Sequence, residues 1–323
     1  MKKNRALVSM MRSRIFLTMT ALLVAIALAQ TSATAAAATT QLSTLSDGDF
    51  ERQLELPPHQ QLDANSPLFQ DAMKTYQRLP FDVGERLRFI VTYLGVSGGQ
   101  AEVTIQQPVK TGDGWAHRLT GEVKSARWYR WIMQIHDSIE ALMTNGSEVA
   151  PVRFYINQQE GSFRQTKIIN FDSNKGEVNQ LTKRKDHEES KASFPFAPGT
   201  KDALGALYYL RVKLAASNPP PLQLDVPIFT SEKTWTGKAS YLGSDTKKIG
   251  KKTYDTDVYR LITTFGGLME QRGDIKMWFT RDERRIPLYI EASVRFGYIK
   301  VTLDEWVPGE NRKNQYSVIS HDL

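Results

Sequence analysis

Leu288-Tyr289-Ile290-Glu291-Ala292-Ser293-Val294-Arg295 alternates without a break: Leu288, Ile290, Ala292 and Val294, continued by Phe296, face one way, and Tyr289, Glu291, Ser293 and Arg295 face the other. A period of two with one apolar and one polar row is the pattern of a strand in an antiparallel sheet that has one buried and one wetter face. Similar segments surround it: Ile299 to Trp306 downstream, and Asp274 to Thr280, Thr253 to Thr264, Thr234 to Leu242 and Leu224 to Thr230 upstream. Earlier in the chain Leu87, Phe89, Val91 and Tyr93 alternate, and Gly95 through Gly99 reads as the turn into Ala101 to Gln106. Leu119, Gly121 and Val123 follow, then Ile135, Ile139 and Ala141, and Val152, Phe154 and Ile156 pair with Thr166 to Phe171 across Glu160-Gly161. Regular strands joined by short turns predict a mainly β fold: one large, strongly curved antiparallel sheet, half-barrel-like, rather than βαβ units.

Two helices interrupt the pattern. Ser66-Pro67 reads as an N-cap and first helical residue, and Leu68, Phe69, Ala72, Met73 and Tyr76 recur at helical spacing, so a short amphipathic helix is expected from Pro67 to about Arg78, with Pro80 ending it. A longer helix is expected from about Lys201 to Ala216, capped by Thr200, with Ala203, Leu207, Leu210 and Leu214 as an apolar stripe laid over the sheet; Asn218-Pro219-Pro220-Pro221 stops it. Thr182 to Ser190 reads as a polar interruption.

At the N-terminus Lys2, Lys3, Arg5, Arg12 and Arg14 precede an apolar run from Ile15 to Ala29, broken only by Thr18 and Thr20, and Ala27-Leu28-Ala29 offers small residues for a signal peptidase. That run is shorter than the ~18 residues a membrane span requires. The expected organisation is a signal peptide over 1–29, a flexible leader over 30–65, the short helix over 66–80, a single antiparallel β domain over 81–308 and a C-terminal tail over 309–323. The export reading places the mature chain in the periplasm, not membrane-spanning after cleavage. The formal charge of +7 includes the five basic residues of the leader, leaving about +2, so nucleic acid is not an expected partner. With 0 cysteines the chain has no disulfide, no thiolate metal site, no cysteine nucleophile and no lipidated cysteine.

The motif search assigns no catalytic residues, no metal site and no cofactor. Gly95-Val96-Ser97-Gly98-Gly99 matches the spacing of a nucleophile elbow, but a strand follows where a helix is required. His59, His117, His136, His187 and His321 lie in separate segments without the i, i+4 spacing that puts two imidazoles on one helical face. Asp186-His187-Glu188-Glu189 reads as a charged surface loop, and Lys247, Lys248, Lys251 and Lys252 around Gly250 as a basic hairpin tip. The most suggestive cluster is Arg127-Trp128-Tyr129-Arg130-Trp131: aromatic faces and guanidiniums in five residues can stack on a ligand while pairing with its anionic groups. Their alternative role, the commoner one for aromatic residues, is to plug one end of the curved sheet.

Four stretches belong together: Phe81-Asp82-Val83-Gly84-Glu85; Val123-Lys124-Ser125-Ala126 running into Arg127 to Trp131; Asp202-Ala203-Leu204-Gly205-Ala206-Leu207-Tyr208-Tyr209-Leu210-Arg211; and Met277-Trp278-Phe279-Thr280-Arg281-Asp282 followed by Arg285-Ile286-Pro287. In order and spacing they resemble the bacterial exported family grouped as domain of unknown function 3108. The resemblance extends over about Phe81 to Pro308 and implies an envelope protein with a curved β sheet, loosely similar in shape to periplasmic lipoprotein carriers. Read from their own chemistry, Phe81, Gly84, Glu85, Trp278, Asp282, Arg285 and Pro287 are fold-defining positions, with Asp282 to Arg285 a solvated hairpin loop and Pro287 opening a strand. The functional expectation is a non-enzymatic periplasmic binding or carrier module for an apolar or amphipathic cell-envelope component, a lipid being one such ligand. The alternatives are an assembly factor that contacts an envelope protein partner, and a hydrolase of an envelope polymer.

Overall fold

The computed structural model describes residues 60–112, 114–128, 134–230, 232–264, 274–294 and 297–321. The expected signal peptide, the leader before residue 60 and the expected ligand residues Tyr129, Arg130 and Trp131 lie outside the described residues.

The helix α1 (Pro67–Tyr76) precedes strands β1 (Arg86–Tyr93), β2 (Val96–Thr111), β3 (Gly114–Ser125), β4 (His136–Thr144), β5 (Pro151–Glu160), β6 (Phe163–Asp172), β7 (Glu177–Arg184) and β8 (Ser190–Pro195). The helix α2 (Ala203–Ala215) follows, then β9 (Gln223–Asp225), β10 (Ile228–Thr230), β11 (Lys233–Ile249), β12 (Lys252–Thr264), β13 (Asp274–Thr280), β14 (Pro287–Val294), β15 (Gly297–Val307) and β16 (Ile319–Ser320). All belong to one antiparallel sheet ordered β10-β11-β12-β13-β14-β15-β1-β2-β3-β4-β5-β6-β7-β8, with β16 on β15 and β9 on β11. Pairing of β1 with β15, Val91 opposite Val301, joins the two halves of the chain.

The sheet is not closed, yet its two ends in the strand order meet through side chains. Phe229 of β10 packs edge-on to Phe171 of β6 at 5.8 Å, and the Gln180 amide of β7 donates to Glu232 at 3.1 Å. Lys201, in the segment after β8, bonds to both sides of β10, donating to the Pro227 carbonyl and accepting from Phe229 N–H. The inward rows of every strand therefore converge on one core that includes Leu87, Phe89, Ile105, Leu119, Ala141, Leu261, Phe279, Leu288, Val301 and Leu303.

The α1 prediction holds at its start: Ser66 Oγ accepts from Phe69 N–H, and the helix ends at Tyr76, two residues before the expected Arg78. For α2 the expectation needs correcting. Its cap is Asp202, which accepts from the Leu204 and Gly205 amides at 3.0 and 2.8 Å, not Thr200. Nor is it a covering helix: Ala203 to Tyr208, Leu210 to Val212 and Leu214 are all buried, so the helix is enclosed on nearly every face. The residues say why, because no continuous polar face exists to offer to water, and a helix apolar all round is buried.

Other expectations change at boundaries. The first hairpin turns at Leu94-Gly95, and Val96 to Gly99 already belong to β2. The predicted strand Leu224 to Thr230 is divided into β9 and β10, which pair with different parts of β11. The polar interruption after Thr182 hides the end of β7, a turn, and β8. The expected tail is tied to the sheet: Asn311 donates to both carboxylate oxygens of Asp82, and β16 extends the edge beside Glu305 and Trp306. Ser97 sits in a strand followed by strands, so the elbow spacing has no elbow geometry behind it.

Candidate functional site

Successive antiparallel hairpins put alternate connections at the same end of the sheet, and the two ends differ in chemistry. One end is filled. Arg211 of α2, fully buried, makes two bonds to Glu85, Nη1 to Oε1 at 2.6 Å and Nη2 to Oε2 at 2.9 Å, and Nη2 also reaches the Pro80 and Arg284 carbonyls. Trp306 Nε1 donates to the same carboxylate at 3.2 Å. Burial works to lower the Arg211 pKa, but the Glu85 carboxylate more than offsets it and holds the guanidinium charged. Around this pair Phe81, Tyr208, Tyr76, Trp115 and His117 pack edge to face. His117 has no hydrogen-bond partner on either nitrogen, and burial alone pushes its pKa down to about 3.

Three of the four resemblance stretches meet here, and they do so as structure. Phe81 and Glu85 belong to the cluster just described, and Gly84, with φ of +81°, makes the turn into β1. Arg285 corrects the solvated-loop expectation: it is buried, with Nη1 donating to Asp257 at 2.6 Å. Asp282 caps its turn by accepting from Thr280 Oγ1 at 2.9 Å and from the Arg284 amide at 3.0 Å. Pro287 opens β14 opposite Phe279. Trp278 faces outward, donates to Asp245 at 2.8 Å and carries Lys247 over its ring at 4.3 Å. One lysine of the expected basic hairpin tip is thus folded back onto aromatic surface.

No helix among the described residues fills the opposite end. There the inward side chains of β5 to β8 stay only half-buried: Ile156 and Gln158, Gln165, Lys167 and Ile169, Thr182, and Ala192 and Phe194. The register carries them on one face, with Ile156 opposite Lys167 and Lys167 opposite Thr182. Burial lowers the Lys167 pKa and Glu232 across the seam works against it, so the ammonium is an interior charge that forms no ion pair among the described residues. Beside this wall Asp137 and Glu160 are both buried. Burial first, and the Glu160 carboxyl second, push the Asp137 pKa upward, while the Gln159 amide donating at 2.8 Å opposes the shift. The Asp137 carboxyl thus keeps its proton above the ordinary carboxylate range. Sequence reasoning missed Lys167, Asp137 and Glu160, because only strand register makes them neighbours.

The lip of this end is apolar and exposed. Leu94 is 68% exposed, Val96 51%, Trp128 50% and Tyr298 52%. Trp128 Nε1 donates to the Ser97 carbonyl at 3.1 Å, which ties the indole to the first hairpin. Leu94 approaches Gly297 so closely that a Cβ there would lie 3.0 Å from it, and Tyr298 is the next residue. Leu94 and Gly95 have φ of +49° and +81°, the type I′ hairpin conformation, in which Asn, Asp or Gly normally fills the first position. A leucine there costs about 1 kcal/mol in backbone strain. Arg127 is exposed beside Trp128. Of the five residues singled out from the sequence, Arg127 and Trp128 thus stand at the lip.

On the outer face a groove of about 350 Å³ runs over Thr104, Arg118, Thr120, Glu140 and Tyr155. Arg118 pairs with Glu140 at 2.8 Å and Gln106 donates to Thr120, as on an ordinary wet sheet face. No helix among the described residues is long and apolar enough to cross a membrane.

Among solved structures, a β-barrel-like protein of the unknown-function family DUF1849 from Brucella abortus aligns over 71% of this chain and 99% of its own, with 9% identity and a TM-score of 0.46. A Bacteroides fragilis protein with a YmcC-like fold, described as a putative exported protein, aligns over 70% and 96%, with 8% identity and a TM-score of 0.30. No curated protein sequence matches this chain. The profile of the DUF3108 family, proteins of unknown function, matches residues 88–304, about two thirds of the chain, from within β1 to within β15, so the chain belongs to the DUF3108 family.

Proposed function

We propose that this protein is a non-enzymatic binding module of the bacterial periplasm that holds an amphipathic, anionic cell-envelope molecule against the inward wall of β5 to β8. One observation carries the reading: among the described residues no helix covers this end, and its half-buried inward row mixes Ile156, Ile169 and Phe194 with the ammonium of Lys167, which forms no ion pair among them. An alkyl chain against the isoleucines and phenylalanine recovers apolar area, and an anionic head against Lys167 adds to the partial compensation that Glu232 gives its ammonium. The buried Asp137 and Glu160 beside this wall add hydrogen-bonding capacity.

Native mass spectrometry with lipid extraction, on the exported chain purified gently from a bacterial periplasm, tests this. A reproducible bound amphiphile that is lost in Ile169→Arg, with the fold retained by circular dichroism, supports the assignment. A clean apo mass, or a ligand retained equally by Ile169→Arg, overturns it.

A further inference from the structure

We infer that the lip formed by Leu94, Val96, Trp128 and Tyr298 docks this end of the protein onto an anionic lipid bilayer, whatever the inward wall holds. These are four of the large apolar side chains left most open to water among the described residues, and they stand on neighbouring segments. Trp128 is bonded to the strand that follows Val96, and Leu94 touches the glycine that precedes Tyr298. Large exposed apolar residues grouped in this way mark an interaction surface, and Trp and Tyr suit the water–lipid boundary, where ring and polar edge are both satisfied.

The turn adds an independent observation. Asn or Gly would relieve the positive φ of residue 94 and the exposure of an apolar side chain together, yet leucine occupies the tip. Strain and exposure at one residue point to a use for the side chain outside the fold. Charge selects the occupant. Arg127 and Lys300 flank the lip, exposed and without an ion pair among the described residues. Glu291, opposite Lys300 in the register, accepts from the Tyr289 hydroxyl at 3.3 Å instead. Farther along the same end, Arg164 and Arg184 are also exposed. Apolar tips between cations match a surface of acyl chains beneath anionic headgroups.

Co-sedimentation of the exported chain with phosphatidylcholine vesicles, with and without added phosphatidylglycerol, tests the inference. Wild type is expected to sediment with the phosphatidylglycerol vesicles and only weakly with phosphatidylcholine alone. Leu94→Asn places a favoured residue in the turn, so it retains or raises Tm while lowering vesicle affinity by roughly tenfold, the scale of one leucine withdrawn from apolar contact. Arg127→Glu combined with Lys300→Glu is expected to abolish the preference for phosphatidylglycerol. Failure of wild type to sediment with anionic vesicles, or Leu94→Asn binding as well as wild type, overturns the inference. So does vesicle binding lost in Ile169→Arg but kept in Leu94→Asn, since lipid is then taken up by the inward wall and the lip does not dock.

Discussion

Replacing Glu85 by Gln removes one charge from a fully buried pair and leaves the Arg211 guanidinium facing two carbonyls and an amide in place of a carboxylate. Taking one partner from a buried, hydrogen-bonded ion pair costs about 3–5 kcal/mol, because the remaining charge keeps its desolvation penalty and loses its compensation. Arg211→Met leaves Glu85 in the same position, with Trp306 Nε1 as its remaining side-chain donor, and should cost a similar amount. For a folded region of this size that corresponds to a fall in Tm of roughly 6–20 °C. Urea unfolding followed by tryptophan fluorescence reads the change as a lower midpoint at unchanged slope. The double variant Glu85→Gln with Arg211→Met should lose much less than the sum of the singles, since neither charge is stranded. Singles within about 1 kcal/mol of wild type, or a strictly additive double variant, would refute the view that α2 is locked to β1 by this pair.

Two pH dependences follow from groups at opposite ends of the sheet. His117 is neutral in the folded protein and protonates near pH 6.5 once unfolded, so its contribution is complete above pH 6.5 and is lost as pH falls towards 3. Between pH 6.5 and 4.5 that amounts to about 2–3 kcal/mol, and His117→Phe should flatten that limb of a urea-midpoint profile. Asp137 has the opposite sign: its folded pKa is raised by burial and then by Glu160, so stability is full below the ordinary carboxylate range and declines as pH rises above it. Asp137→Asn should therefore gain stability over wild type at alkaline pH, and an unchanged difference between pH 5 and pH 9 would show that the Asp137 pKa is not raised in the folded protein.

How much was legible in the chain depends on the range of the interaction that decides each feature. Strands such as Leu288 to Val294 and the α1 start at Ser66-Pro67 are written in local periodicity and capping chemistry, and they stand in the structure with little change. The mainly β class and the family could be read for the same reason, since both rest on runs of neighbouring residues. The enclosure of α2 was present in its composition, where no continuous polar face appears, but four apolar positions alone suggested a stripe. The split of β9 from β10 and the existence of β8 depend on which strand lies alongside, and polar edge strands carry little periodic signal. Arg127 and Trp128 were visible as a cluster, yet the place of Trp128 beside the first hairpin comes from the β2–β3 register and its bond to Ser97. The sequence by itself thus determined that the chain builds an antiparallel sheet with helical interruptions, because those choices are made over a few residues. Only the tertiary structure decided which end α2 fills, that Arg211 meets Glu85, and that Lys167 faces inward on the half-buried wall of β5 to β8, because burial and electrostatics act between side chains brought together from distant segments.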